Sequence, residues 1–204
     1  ADYVCRFGLT AFEYQFGRGV RYQEEALREL GRRARELGIL LSAHAPYYIS
    51  LSSPEEEKRE NSISYILETA KAAEILGADR IVIHSGSCSK QSRKEALVLA
   101  KDTLCQALEA LENQGFSGIT LCPETMGKLN QLGDLEEVLS FCEADERLLP
   151  CIDFGHLNAR TLGGIKGRED YAAILDALEN RLGAERAGRF HAHFSKIEYT
   201  EKGG

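Results

Sequence analysis

The chain has 204 residues, 43% of them hydrophobic and 28% charged, with a formal net charge of −7. That size and balance predict one globular domain over residues 1–204 with a single core, and the acidic total argues against a nonspecific basic coat for nucleic acid while leaving room for a local positive strip. No apolar run approaches the ~20 residues that a bilayer crossing needs, and no basic stretch leads into a hydrophobic one at the N-terminus, so no membrane association and a cytoplasmic address are expected. In chain order, Leu9–Tyr14 reads as a strand and the amphipathic stretch from about Tyr22 to Leu37 as a helix closed by Gly38. Ile39–His44 is the next strand. Ser52-Ser53-Pro54-Glu55-Glu56-Glu57 then supplies a cap, a first-turn proline and acids to a helix over Pro54–Leu76, closed by Gly77. Strands at Arg80–His84, Gly118–Cys122, Leu149–Asp153 and Arg189–His193 follow, separated by helical patterns at Ser89–Asn113, Leu135–Ala144 and Arg168–Leu182, the last closed by Gly183.

This alternation is that of repeated β-α units on a parallel sheet. A complete (β/α)8 TIM barrel has eight strands in about 250 residues. The expected fold class is therefore α/β, a TIM barrel lacking its first and last strands in this chain; the absent initiator methionine and the polar tail Glu201-Lys202-Gly203-Gly204 fit that expectation. The cysteines (Cys5, Cys88, Cys105, Cys122, Cys142, Cys151) show no C-x-x-C spacing and read as reduced thiols.

In such barrels the chemistry sits at the C-terminal strand ends and in the loops after them. The chain has 5 histidines, and each falls at such a place: His44, His84, His156, His191 and His193. Glu124 and Asp153 take equivalent positions on two further strands. One histidine at a strand end is ordinarily just a hydrogen-bonding residue, but chance does not put a whole set on one rim. Imidazole and carboxylate together suit zinc, manganese or iron better than calcium or magnesium. The set exceeds the three or four ligands one zinc takes, so more than one ion is implied, and paired ions that share a carboxylate and a water are the design of a phosphoryl hydrolase.

Ser42-Ala43-His44-Ala45-Pro46-Tyr47-Tyr48-Ile49-Ser50-Leu51, Val82-Ile83-His84-Ser85-Gly86, Pro123-Glu124-Thr125 and Ile152-Asp153-Phe154-Gly155-His156-Leu157-Asn158-Ala159 resemble the endonuclease IV family, also called AP endonuclease family 2, within the xylose isomerase-like TIM barrel superfamily. The resemblance runs in order along nearly the whole chain. It implies a zinc-dependent enzyme, with two or three Zn2+ (Mn2+ or Fe being alternatives), that cuts DNA 5′ to abasic sites by metal-activated hydroxide. His44 and His84 would hold the first ion and the catalytic carboxylate Glu124 would bridge to the second. Asp153 and His191 would complete this chain's share of the second, and His156 would bind the third. His191 is preferred to His193 because the family shows a lysine five residues after this histidine, and Lys196 has that spacing. Tyr47 matches the tyrosine that enters the DNA at the lesion, and Arg18 and Arg21 lie where an arginine-bearing loop probes the duplex. His193 and Lys196 complete the expected substrate contacts. The chain departs from the family where the Asp-x-His pair and the last-strand glutamate would lie beyond Gly204, and in His191-Ala192-His193-Phe194-Ser195-Lys196, where an asparagine and an acid usually follow the histidine. The alternatives are a sugar isomerase or epimerase of the same superfamily, which needs an acid or lysine base, and a non-catalytic relative that only binds.

Overall fold

The computed structural model describes residues 1–203. Helix α1 (Asp2–Arg6) is followed by β1 (Ala11–Gln15), α2 (Glu24–Glu36), β2 (Leu40–His44), α3 (Glu56–Leu76), β3 (Arg80–Ile83), α4 (Arg93–Asn113), β4 (Thr120–Pro123), α5 (Leu135–Ala144), β5 (Cys151–Asp153), α6 (Phe154–Arg160), α7 (Arg168–Leu182), α8 (Ala184–Ala187) and β6 (His191–His193). Every strand pairing is parallel, in the order β1-β2-β3-β4 and β5-β6. Between β4 and β5 the ladder thins to single bridges, Leu121 with Leu148 and Glu124 with Cys151. Thr125 closes this seam. Its amide donates to the Cys151 carbonyl (2.9 Å), and its hydroxyl accepts the Asp153 amide (2.8 Å) and donates to the Asp153 carbonyl (3.3 Å). At the far side, the His191 side chain of β6 reaches Glu13 of β1 at 2.9 Å, so the row of strands curls until its first and last members meet. This is the α/β TIM barrel architecture expected from the alternating pattern.

The expected strands are found with ends displaced by a residue or two, as when Gly118–Cys122 becomes Thr120–Pro123. Helix α3 starts at Glu56 rather than Pro54: the Ser53 hydroxyl accepts the Glu55 amide (3.2 Å), a turn that spends the serine before the helix begins. Capping boxes at Ser92/Glu95 and Asp134/Glu137 begin α4 and α5. Helix α6 was not expected. Asp153 caps it, its Oδ1 accepting the His156 amide at 2.8 Å, so the Asp-x-x-His motif is a helix start as well as a pair of chemical groups. Gly77 closes α3 in the left-handed conformation at φ +79°, which glycine adopts without a Cβ penalty.

Ile66, Ala70, Ala73 and Leu76 of α3 and Leu104, Ala107 and Leu108 of α4 pack on Ile81, Ile83 and Leu121 to form the main core. Helix α2 approaches the end of α3 so closely that a Cβ on Gly31 would strike the Leu76 carbonyl. Gly31→Ala should therefore lower stability by about 1–3 kcal/mol through overpacking, outweighing the ~1 kcal/mol that alanine gains in a helix. Gly118, which has open space around it, is the control; thermal midpoints of the two alanine variants check this, and an unchanged Gly31→Ala midpoint would refute the close packing. All six cysteines are free, as expected, and burial pushes the Cys122 thiol up to about 12. Among the described residues no helix is long and apolar enough to cross a membrane.

Candidate metal centre

Successive strand ends deliver the chemistry. His44 ends β2, His84 follows β3, Glu124 follows β4, Asp153 ends β5 and His193 ends β6, with His156 in the first turn of α6. Glu124 is 2% exposed and sits at the middle of the cluster. Its two oxygens face different partners: Oε2 lies 3.3 Å from His44 Nε2 and 3.1 Å from His84 Nε2, whereas Oε1 lies 2.7 Å from His193 Nδ1 and 3.7 Å from His156 Nδ1. Burial alone would push the Glu124 carboxyl up, but hydrogen bonds from His193, His44 and His84 outweigh it and hold the group well below the usual carboxylate range.

The donor set fits a divalent transition metal. His44, His84 and Glu124 bring ligand atoms within 4.8 Å of one another, and so do Glu124, Asp153 and His156. Nδ1 of His44 donates to the Ala45 carbonyl (2.8 Å) and Nδ1 of His156 to the Thr125 carbonyl (2.9 Å). Each of these bonds fixes its ring, and for His44 it leaves the Nε2 lone pair on the Glu124 side for an ion.

The two histidines of β6 face different carboxylates. Parallel pairing sets His193 level with Asp153 and His191 level with Cys151. Two residues along a strand is about 6–7 Å, so His193 reaches the rim and His191 stays one step deeper. His193 is the one against Glu124, with Asp153 Oδ2 at 3.8 Å. His191 instead contacts Glu13 (2.9 Å). Register, rather than the lysine spacing that favoured His191, sets which of the two lies beside Glu124.

Glu13 is a residue that the sequence reading missed. It lies mid-strand in β1 rather than at a strand end, and a half-buried acid inside a strand is the signal that could have revealed it. Its burial opposes the charge, but hydrogen bonds from His191 and His193 outweigh it and hold the carboxyl down at about 2. By the same contacts, burial works against the His193 imidazolium while Glu124 and Glu13 push the group up to about 10.

Tyr47 is 56% exposed at the rim and stands edge-on to Tyr48. Its amide donates to the Gly17 carbonyl (3.2 Å), which joins the loop after β2 to the loop carrying Arg18 and Arg21. Both arginines and Lys196 lie toward solvent.

The family model for the xylose isomerase-like TIM barrel matches residues 1–202. The chain belongs to the xylose isomerase-like TIM barrel family. Within that family it is 39% identical over 203 residues to an uncharacterized protein of Methanocaldococcus jannaschii, covering 100% of this chain and 72% of that protein. Endonuclease 4 of Thermus thermophilus is 31% identical over 197 residues, 92% of this chain and 67% of the relative. The crystal structure of an endonuclease IV from Thermus thermophilus superposes with a TM-score of 0.68 at 26% identity, over 91% of this chain and 66% of that one. A D-tagatose 3-epimerase-like protein superposes with a TM-score of 0.71 at 20% identity, over 95% of this chain and 69% of that one, and shares the barrel of the family. The chain thus spans about two thirds of the length of these two endonuclease relatives and about half that of the further endonuclease 4 relatives it matches. The resemblance to endonuclease IV read from the strand-end motifs stands.

Proposed function

We propose that this protein is a metal-dependent phosphodiester hydrolase that cuts DNA 5′ to abasic sites, with zinc as its metal and manganese or iron as alternatives. The observation that carries the reading is Glu124, a buried carboxylate whose two oxygens face separate sets of histidines. His44, His84 and Glu124 would hold one ion, Glu124, Asp153 and His193 a second, and His156 a third. Bound there, such ions supply Lewis-acid polarisation of the phosphate and a lowered pKa for water.

The chain's own residues do the rest. The Ala45 and Thr125 carbonyls orient the rings of His44 and His156. Tyr47 offers an exposed aromatic face on which an unstacked base or a gap in the helix can rest. Arg18, Arg21 and Lys196 surround the rim as phosphate contacts, which set position without reading sequence.

The test incubates full-length protein and zinc with a duplex bearing one abasic analogue, beside a panel of ketoses and aldoses. Incision 5′ to the lesion supports the proposal. Sugar interconversion with intact DNA would overturn it in favour of an isomerase or epimerase, and inactivity on every substrate would leave a binding protein. Affinity for the duplex should fall steeply with salt despite the net charge of −7. Loss of Arg18, Arg21 or Lys196 should each reduce the log–log slope by about 1. Salt-independent binding would refute these phosphate contacts.

A further inference from the structure

Glu13 belongs to no ligand group of the proposed centre, yet it lies against it from the opposite end of the strand row. Its Oε1 is 3.1 Å and its Oε2 3.2 Å from His193 Nε2, while the other nitrogen of the same ring, Nδ1, points at Glu124 (2.7 Å). Three further donors brace the carboxylate: Gln15 Nε2 at 2.7 Å, His191 Nε2 at 2.9 Å and the Ser42 hydroxyl at 3.3 Å. The His193 ring also lies nearly parallel to His44, 16° between planes and 6.1 Å between centroids, so its orientation is set on the face as well as at both nitrogens.

We propose that Glu13 is a positioning residue for His193, holding the imidazole in its Nε2–H form so that Nδ1 presents its lone pair to a metal shared with Glu124 and Asp153. The inference rests on the reading of the rim as a metal centre. A neutral imidazole carries one proton. Where Nε2–H is engaged by a carboxylate, the proton that a metal displaces is the one on Nδ1, the ring cannot rotate away, and the ligating nitrogen becomes a stronger donor. Glu124 cannot serve this purpose, since it lies on the ligating side of the ring. His191 takes a supporting part: by donating to Oε2 it anchors the carboxylate that anchors His193. This accounts for the deeper histidine of the pair without making it a ligand.

Two measurements test the proposal on the full-length protein. Zinc is titrated against a competing chromophoric chelator for wild type, Glu13→Gln, Glu13→Ala and His193→Ala, and the tautomer of His193 is read from long-range 15N–1H imidazole spectra of the wild type with and without zinc. Glu13→Gln is expected to keep the stoichiometry at saturating zinc while weakening one site by about 10–100-fold, the range typical of lost outer partners. His193→Ala should lose that site outright. Wild-type affinity in both Glu13 variants overturns the positioning role while leaving the metal centre standing. Unchanged zinc binding in His193→Ala instead overturns the metal reading itself. Should the Glu13 variants fail to fold, the spectra of the unaltered protein decide: Nε2–H with ligation through Nδ1 supports the proposal, and ligation through Nε2 refutes it.

Discussion

Glu124→Gln is expected to strip the protein of most of its bound metal and to reduce hydrolysis by more than the ~10–100-fold associated with outer-shell partners. Glutamine keeps the shape of the side chain but removes the one charge that His44, His84, His193 and His156 all face, at 3.3, 3.1, 2.7 and 3.7 Å. With that charge gone, two or more cations brought into this 2%-exposed position repel one another with nothing between them. An amide oxygen can still bind one ion, weakly, but its nitrogen cannot bind another. Cys88→Ala is the matched control, because the Cys88 thiol contacts only the Arg93 guanidinium (3.5 Å) in the hydrogen-bond network. Elemental analysis of purified wild type and both variants checks the expectation. Equal metal content in wild type and Glu124→Gln would remove the bridging role.

The second large effect concerns stability. Glu137 is 7% exposed and accepts hydrogen bonds from Arg93 (2.9 Å) and from the amides of Gly133 (2.8 Å) and Asp134 (3.0 Å). Arg93 in turn donates to the carbonyls of Leu129 (2.9 Å) and Gln131 (2.8 Å), so one ion pair holds the loop that follows Glu124. Burial would raise the Glu137 carboxyl, but Arg93 and the two amides outweigh it and keep the group below its ordinary value. A depressed folded pKa contributes stability that is complete above the unfolded value of about 4.3 and is lost as pH falls through the folded value. Glu137→Leu should therefore cost about 3 kcal/mol at pH 7 by leaving Arg93 without its carboxylate and two amides without their acceptor, or roughly 6–12 °C in melting temperature for a chain of this size. The variant should also lose part of the wild type's decline in stability below about pH 5, as measured by denaturant midpoints at neutral and acid pH. A midpoint unchanged at pH 7 would mean that the loop is held by other contacts.

The strands were legible because alternation of short apolar runs with capped amphipathic stretches is a local signal, and each histidine lay beside one. Glu124 and Asp153 were legible for the same reason. Three features were not. Helix α6 is 7 residues long with no amphipathic repeat to reveal it, and its only marker, Asp153 as a cap, was already explained by another role. The choice between His191 and His193 depends on which of them pairs with Asp153, and register between strands 38 residues apart is set by packing of the intervening helices rather than by either segment. Glu13 was hidden because its histidine partners lie 178 and 180 residues away, so nothing near it in the chain marks it as more than an acid in a strand.

The thin junction between β4 and β5 has a consequence for how the molecule breathes. His44, His84 and Glu124 stand on one side of it, and Asp153, His156 and His193 on the other, while Thr125 fastens the two across a few bonds. Local openings of a fold follow its sparsest hydrogen bonding. One such thin junction runs through the middle of the candidate centre, so parting the sheet there also separates its two groups of side chains. Whatever joins the two halves of the site also rivets the barrel at this seam.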